Sequence, residues 1–119
     1  MNALPLYPVD ALPDPGSRGF ELPTPAGPLE CLLVHCAGAF SAYLNQCPHT
    51  GAPLDWLPGQ FLDPTGKLIQ CALHGALFLP DTGECVHGPC LGTYLTGIPV
   101  TLEDGWVRIP RTLGDLPTP

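Results

Sequence analysis

Two short stretches of the chain decide its fold: Asn45-Gln46-Cys47-Pro48-His49 and Cys71-Ala72-Leu73-His74-Gly75. Each holds one cysteine and one histidine, spaced C-x-H in the first stretch and C-x-x-H in the second. Both pairs follow predicted strands, and chain reversals at Gly51 and Gly75 let the two loops face one point in space. Two thiolates and two imidazoles that meet there form a candidate metal site.

Apolar stretches of strand length surround these motifs, and turn-forming residues separate them. Four hairpins are predicted, namely 29–36 with 40–46, 61–62 with 67–71, 76–79 with 84–86, and 98–102 with 106–109. The outer pairs, roughly 18–46 and 92–110, predict an antiparallel β sandwich or barrel, and residues of about 45–91 predict a smaller inserted lobe that carries both motifs. No helix is predicted, so the fold class is all-β.

The two ends of the chain lack a periodic pattern. Residues 1–17, with four prolines, are predicted to be an extended arm or a frayed terminus, and residues 112–119 a C-terminal tail. A length of 119 residues suits one domain, which we place at 18–111. The 17 prolines are scattered and exclude a helical bundle, while 45% hydrophobic residues allow a buried core.

Charge and cysteine usage limit the possible partners and compartment. Four Lys/Arg against eleven Asp/Glu give a net charge of −7, which excludes nucleic acid as a partner and suits transient docking on a basic patch of another protein. The amino terminus lacks the pattern of a secretory signal, and no stretch reaches the ~18–20 apolar residues of a membrane helix. We therefore expect a cytoplasmic protein whose six cysteines are ligands or buried thiols, and no membrane partner.

The C-x-H and C-x-x-H-G pattern resembles the Rieske iron–sulfur family. The resemblance extends from about Leu29 to Ile109 and includes Gly88-Pro89-Cys90, which is similar to the family's proline loop over the cluster. It implies that one iron of a [2Fe–2S] cluster is bound by two cysteines and the other by two histidines at an exposed tip, the four ligands being Cys47, Cys71, His49 and His74. The segment between the motifs is a few residues longer than usual in the family, which lengthens a loop and a hairpin without touching a ligand.

The ligand set implied by this resemblance sets the range of the reduction potential. Two neutral imidazoles in place of two thiolates remove negative charge beside the irons, so Rieske potentials lie at ~−150 to +300 mV against about −400 mV for plant-type ferredoxins. Rieske proteins of the cytochrome bc type, which this chain also resembles, add a loop disulfide and Ser and Tyr donors to the cluster sulfurs. The matching positions here are Ala52, Leu73, Ala76 and Phe78. The resemblance therefore implies a low-potential ferredoxin of the oxygenase-associated kind.

Such a ferredoxin carries single electrons from a flavin-dependent reductase to an oxygenase or a similar terminal enzyme. It is expected to catalyse no reaction alone, because protein and sulfide fill every iron position. One alternative is a non-redox binding or regulatory module whose fold is stabilised by a bound zinc ion, since the same four donors suit zinc. Another is the small subunit of a nitrite reductase, a relative that usually lacks the ligands that are complete here.

The remaining cysteines and histidines are given structural roles. Cys31 and Cys36 lie five positions apart on a predicted strand and face opposite sides, so a disulfide between them is excluded. Cys85 and Cys90 bracket a loop and are expected to be thiols, with a disulfide between them left open. Two histidines, His35 and His87, are interpreted as a strand residue and a loop residue rather than ligands. Five acidic residues are interpreted as turn and surface charges: Asp55, Asp63, Asp81, Glu84 and Asp104.

Overall fold

The computed structural model describes residues 3–24, 27–46, 48, 54–55, 59–71, 75–89 and 91–110. Their regular structure is almost entirely β-strand, with one turn of 3₁₀ helix at Val9–Ala11. The strands are β1 (Ala3–Pro8), β2 (Gly16–Thr24), β3 (Gly27–Cys36), β4 (Ala39–Leu44), β5 (Ile69–Gln70), β6 (Leu77–Phe78), β7 (Cys85–His87), β8 (Gly97–Ile98), β9 (Thr101–Glu103) and β10 (Trp106–Pro110). The all-β prediction is confirmed.

The strands of the described residues form three antiparallel sheets. One sheet has the order β2-β3-β4-β8, a second has the order β1-β10-β9, and a third, smaller sheet has the order β5-β6-β7. The predicted outer pairs therefore build the first two sheets, and the predicted inserted lobe carries the third. This is the sandwich with a smaller lobe that the positions of the turns predict.

Strand β1 comes from the segment for which the sequence predicts an extended arm. Residues 3–8 pair with β10, from Ala3 opposite Pro110 to Pro8 opposite Trp106, with an irregularity between Pro5 and Tyr7. A proline has no amide proton to give to a ladder, so it is tolerated at the edge of a sheet, and β1 is an edge strand. The first residues of the arm are thus part of the sandwich.

The hairpin of β3 and β4 shows how a local turn fixes register. Ala37 and Gly38 have positive φ angles of 51° and 81°, as a two-residue hairpin turn requires. The Asp14 carboxylate accepts hydrogen bonds from both of their amides, at 3.1 and 2.7 Å. The predicted turn is confirmed, and so is the predicted pairing, which runs from Cys36 opposite Ala39 to Cys31 opposite Leu44.

The central sheet is covered on both faces, which explains why Cys31, Leu32, Leu33 and Val34 are all buried. Alternate side chains of a strand point to opposite faces. Cys31 and Leu33 join the core between the two larger sheets, whereas Leu32 and Val34 join the core shared with the lobe. The lobe therefore rests on the sandwich through a continuous apolar layer.

Two side-chain hydrogen-bond sites join the sandwich to the lobe. The Ser17 hydroxyl on β2 donates to the Gly59 carbonyl at 2.8 Å and accepts from the Phe61 amide at 3.1 Å. The Tyr43 hydroxyl on β4 donates to the Pro80 carbonyl at 2.8 Å, within the turn between β6 and β7. These bonds fix the lobe's orientation on its support.

Candidate metal centre

The described ends of the second predicted ligand loop, which connects β5 and β6, are hydrogen-bonded to each other. Cys71 directly follows β5 and its side chain is fully buried, with 0% exposure. Its amide donates to the Ala76 carbonyl at 2.8 Å, and its carbonyl accepts from the Gly75 amide at 3.0 Å. Gly75 has a φ angle of 69°, which lets the chain reverse within six residues. Cys71 is therefore held at a fixed point at the end of the lobe sheet.

The first predicted ligand loop is closed by a side chain rather than by a strand pair. Asn45, directly after β4, is 8% exposed, and it is the buried polar residue that stands out in a core of apolar ones. Its Oδ1 accepts from the Leu54 amide at 2.7 Å, and its Nδ2 donates to the Asp55 carboxylate at 3.2 Å. Asp55 also accepts from the Gly59 amide at 3.4 Å. The two ends of the loop over 46–53 are thereby joined.

The predicted proline loop approaches the second ligand loop at Gly88. A Cβ atom added to Gly88 would lie 2.8 Å from Cα of Ala76, so the two backbones are in close contact there. His87, the residue before Gly88, pairs with Leu77 across β6 and β7. The Gly88-Pro89 segment is therefore packed beside the loop that carries Cys71, as expected for a cover over a metal centre.

Only one of the four predicted ligands, Cys71, lies among the described residues. Cys47, His49 and His74 fall outside them, so the ligand set stays a prediction. Within the described part of the chain, no group of three or more His, Cys, Asp or Glu side chains could hold a metal ion. The described surroundings nevertheless fit a cluster. Cys71 is a buried thiol, and the described ends of both predicted loops are joined by hydrogen bonds. Cysteine and histidine, the residue types of the four predicted ligands, are the ligands of a Rieske cluster.

The cysteines of the sandwich lack the properties of ligands. Burial, and secondly the negative charge of Glu30, raise the pKa of the Cys31 thiol to about 12. Burial also raises the pKa of Cys36. These two side chains lie in different cores, which confirms that they face opposite sides of β3. Cys85 is buried on β7 and pairs with Phe78, and Cys90 lies outside the described residues, so the question of a bond between them stays open.

The two remaining histidines differ in their environment. His35 stacks on Phe40 with ring centroids 3.9 Å apart, and its Nδ1 lies 2.9 Å from the Leu12 carbonyl oxygen. It is a packing residue at the end of β3, as the sequence predicts. His87 is exposed on β7 rather than on a loop.

Sequence reasoning missed the roles of Asn45 and Asp55. Asp55, interpreted as a turn or surface charge, is a half-buried acceptor that ties the first ligand loop together. A signal was present in the sequence, because Asn45 interrupts an apolar strand two positions before Cys47.

Comparisons with known proteins agree with this geometry. Residues 11–107 match the Rieske [2Fe-2S] domain family. A curated relative, the oxygenase component of chloroacetanilide N-alkylformylase from Rhizorhabdus wittichii (strain DC-6 / KACC 16600), is 50% identical over 48 residues, which are 40% of this chain and 12% of the relative. The chain thus matches only a small part of that relative's length.

Solved structures share the fold over almost the whole chain. Sphingomonas yanoikuyae B1 ferredoxin aligns with a TM-score of 0.68 and 28% identity, covering 92% of this chain and 98% of that one. A chain in the complex of reduced oxygenase and oxidized ferredoxin in carbazole 1,9a-dioxygenase aligns with a TM-score of 0.71 and 20% identity, covering 93% and 94%. At 20% identity the second likeness concerns the fold alone.

These findings support an electron carrier and give no support to a zinc site. Among the described residues, no helix is long and apolar enough to cross a bilayer. The Rieske domain binds one [2Fe–2S] cluster. With a family match that covers most of its length and a fold shared with ferredoxins, this chain belongs to the Rieske [2Fe-2S] domain family.

Proposed function

We propose that the chain is a ferredoxin that carries single electrons to an oxygenase or similar terminal enzyme. The observation that carries this proposal is the family match over residues 11–107, on a chain whose described residues are almost entirely the sandwich and the cluster lobe. When bound, a Rieske cluster takes up and returns one electron at ~−150 to +300 mV. Protein and sulfide would fill every iron position of the cluster and leave no open site for a substrate, so the chain is proposed to catalyse no reaction alone.

The cluster ligands are proposed to be Cys47 and Cys71 on one iron and His49 and His74 on the other. Three observations support this set: the burial of Cys71, the closure of both loops, and the contact of Gly88 with Ala76. Histidines at the tip of the lobe would expose the reducible end of the cluster to a partner.

We propose a potential in the lower part of the Rieske range. Hydroxyl donors to the cluster sulfurs stabilise the more negative, reduced state and so raise the potential. Ala76 and Phe78, at two of the positions where such groups act in cytochrome bc-type proteins, are fully buried side chains without a donor. A measured midpoint near +300 mV would contradict this part of the proposal.

The proposed partners are a flavin-dependent reductase as the electron donor and an oxygenase as the acceptor. The net charge of −7 supports transient docking on basic surfaces. A ferredoxin of the same fold has been captured in complex with a reduced oxygenase. We also propose that residues 18–111 form one domain, to which β1 (Ala3–Pro8) adds an edge strand. The protein is proposed to work in the cytoplasm, where the thiols of Cys31 and Cys36 remain reduced.

A second candidate function follows from the curated relative, which is itself an oxygenase component. In that case the same domain would serve an oxygenase as one of its parts. The two candidates can be distinguished by mixing the reduced chain with a separate acceptor protein. A freely diffusing carrier delivers its electron to the acceptor at a rate proportional to the acceptor concentration.

Purification of the chain expressed under iron-replete conditions tests the proposed function. We expect a red-brown protein with two irons and two acid-labile sulfides per chain, bleached by dithionite, whose reduced form gives an electron paramagnetic resonance signal. His49→Ala and Cys71→Ser should abolish or grossly change that signal. The matched controls His87→Ala and Cys36→Ser, which alter the same residue types at positions not proposed as ligands, should keep it. A colourless zinc protein, or an unchanged signal in Cys71→Ser, would contradict the assignment.

A further inference from the structure

We propose that Asn45 and Asp55 form a clasp that positions the first ligand loop, so that this hydrogen-bonded pair controls cluster retention and the electronic environment of the loop's ligands. The inference rests on the proposed function, because it assumes that Cys47 and His49 bind the cluster. Neither Asn45 nor Asp55 is a proposed ligand, and both are argued to act through the loop that carries Cys47 and His49, so they are positioning residues.

The atoms of the Asn45 amide can be assigned by chemistry. Leu54 offers an amide N–H, which needs an acceptor, and Asp55 offers an ionised carboxylate, which accepts only. The amide oxygen must therefore face Leu54, at 2.7 Å, and the amide nitrogen must face Asp55, at 3.2 Å. The reverse orientation would set donor against donor and acceptor against acceptor. As long as residue 55 is an aspartate, position 45 therefore requires a side chain with one donor and one acceptor.

Burial makes this requirement strict. Asn45 is 8% exposed, so water does not replace a lost partner easily. Its backbone is fixed as well, because the Asn45 amide donates to the Glu30 carbonyl of β3 at 3.0 Å. The clasp thus fixes Leu54 and Asp55, at the far end of the ligand loop, relative to the central sheet.

Asp55 extends the clasp to the segment that follows. Its second carboxylate oxygen accepts from the Gly59 amide at 3.4 Å, and the Gly59 carbonyl accepts from Ser17 on β2 at 2.8 Å. The described residues on both sides of the first ligand loop are therefore hydrogen-bonded, directly or through one further residue, to the sandwich. Outer-shell hydrogen bonds of this kind orient metal ligands, and their loss typically costs about 10- to 100-fold in metal affinity.

A swap of the two side chains tests the clasp. Asn45→Asp places a second carboxylate beside that of Asp55 and removes the Nδ2 group that donates to Asp55. Asp55→Asn keeps a donor and an acceptor at the contact with Asn45 but cannot also accept from Gly59 in the same orientation. The double variant Asn45→Asp/Asp55→Asn restores every bond, since the carboxylate at 45 accepts from Leu54 and from the new amide, whose oxygen accepts from Gly59.

The measurements are the rate of cluster loss to a chelator, followed by visible absorbance, and the electron paramagnetic resonance g-values of the reduced protein. We expect about 10- to 100-fold faster loss in Asn45→Asp, a smaller increase in Asp55→Asn, and recovery in the double variant. We also expect shifted g-values in Asn45→Asp that return in the double variant. A purely structural role would not move the g-values of the clusters that remain bound.

Gln46→Glu is the charge control, because it adds the same charge one residue away on an exposed side chain. A loss rate in Asn45→Asp no greater than in Gln46→Glu would overturn the clasp, as would a double variant no better than Asn45→Asp. If Asn45→Asp does not fold, the rates of cluster loss in Asp55→Asn, the double variant and the wild type still test the clasp. A wild-type chain that takes up no [2Fe–2S] cluster would overturn the proposed function, whereas a loaded wild type with unaffected variants would overturn the clasp alone.

Discussion

At position 88 a side chain is excluded both by backbone conformation and by space. Gly88 has a φ angle of 106°, and a Cβ there would lie 2.8 Å from Cα of Ala76. Gly92 is a matched control, since its φ angle is 89° but a Cβ there would meet nothing within 4 Å. Both alanine variants carry backbone strain, and only Gly88→Ala also forces the proline loop away from the ligand loop.

We therefore predict that Gly88→Ala lowers the free energy of unfolding by about 1–3 kcal/mol more than Gly92→Ala, the usual cost of overpacking. Because the displaced loop is proposed to cover the cluster, Gly88→Ala should also lose the cluster faster. Denaturant titration of both variants and chelator kinetics check these effects. Equal unfolding free energies and equal rates of cluster loss in the two variants would show that the contact with Ala76 does not contribute to stability.

Tyr43 combines a buried ring with a hydroxyl that donates to the Pro80 carbonyl, so the hydroxyl can be tested separately from the ring. Tyr43→Phe leaves the Pro80 carbonyl without the bond it accepts at 2.8 Å, and we predict a loss of about 1–2 kcal/mol in the free energy of unfolding. Tyr94→Phe, at an exposed position, should change it by less than about 0.5 kcal/mol. Chemical denaturation measured at neutral pH tests the pair. A loss in Tyr94→Phe as large as that in Tyr43→Phe would contradict the prediction.

The same hydroxyl predicts a pH dependence. Burial, together with the nearby charge of Asp81, raises the pKa of Tyr43 from 10.0 to about 12. Between these values the unfolded chain loses the proton and the folded chain keeps it, so stability is present below pH 10 and is lost as the pH rises towards 12. The difference in unfolding free energy between wild type and Tyr43→Phe should shrink over this interval. The pKa of Cys31 is raised from 9.0 to about 12, so this thiol also changes the stability over the same pH range. Its contribution is the same in wild type and Tyr43→Phe and cancels in the difference between their unfolding free energies.

At the scale of elements, the Ser17 hydroxyl links β2 to the lobe. Ser17→Ala would leave the Gly59 carbonyl and the Phe61 amide without their partner, and we predict a loss of about 1–3 kcal/mol. Thr101→Ala, which removes a hydroxyl from an exposed position on β9, is the control. Hydrogen exchange localises the effect, because the Phe61 amide should exchange faster in Ser17→Ala. Unchanged protection of that amide would contradict the role of Ser17 as a link.

Elements with local signals could be predicted from the sequence, and those with distant partners could not. Asp104 and Gly105 both adopt the positive φ angles that their residue types tolerate, at 52° and 78°, so the hairpin of β9 and β10 follows from its own residues. Strand β1 has no alternating pattern and holds two prolines among its six residues, and its partner β10 lies at the other end of the chain. Its pairing depends on the assembled sandwich, which no local pattern encodes.

The same distinction applies to the candidate site. The Cys and His spacing of the motifs predicts the ligand loops, and the buried end of β5 places Cys71 as that pattern requires. The polar Asn45 at the end of an apolar stretch is a signal in the sequence, but its partner Asp55 could not be predicted, because the two side chains meet only after the chain has folded back over ten positions. Ser17 contacts residues more than forty positions away for the same reason.

For the whole molecule, the excess of negative charge predicts how the reduced protein meets its oxidants. Attraction raises the encounter rate of a cationic reagent, and salt weakens it as the Debye length falls from roughly 30 Å at 0.01 M to about 8 Å at 0.15 M. We predict that reoxidation by cationic hexaamminecobalt(III) slows over this range, while reoxidation by anionic ferricyanide accelerates. Stopped-flow absorbance of the dithionite-reduced protein, freed of excess reductant, measures both rates.

Two single-charge variants separate the net charge from its placement. Glu84→Gln removes a charge next to β7 in the lobe, and Asp10→Asn removes one from the 3₁₀ turn on the sandwich. Both change the net charge from −7 by one unit, so a purely global field predicts equal effects. If the electron leaves through the lobe, Glu84→Gln should slow the reaction with the cationic oxidant more than Asp10→Asn, most clearly at low salt where charges act over longer distances. Equal effects would mean that the acidic surface steers reagents to the molecule without directing them to the lobe.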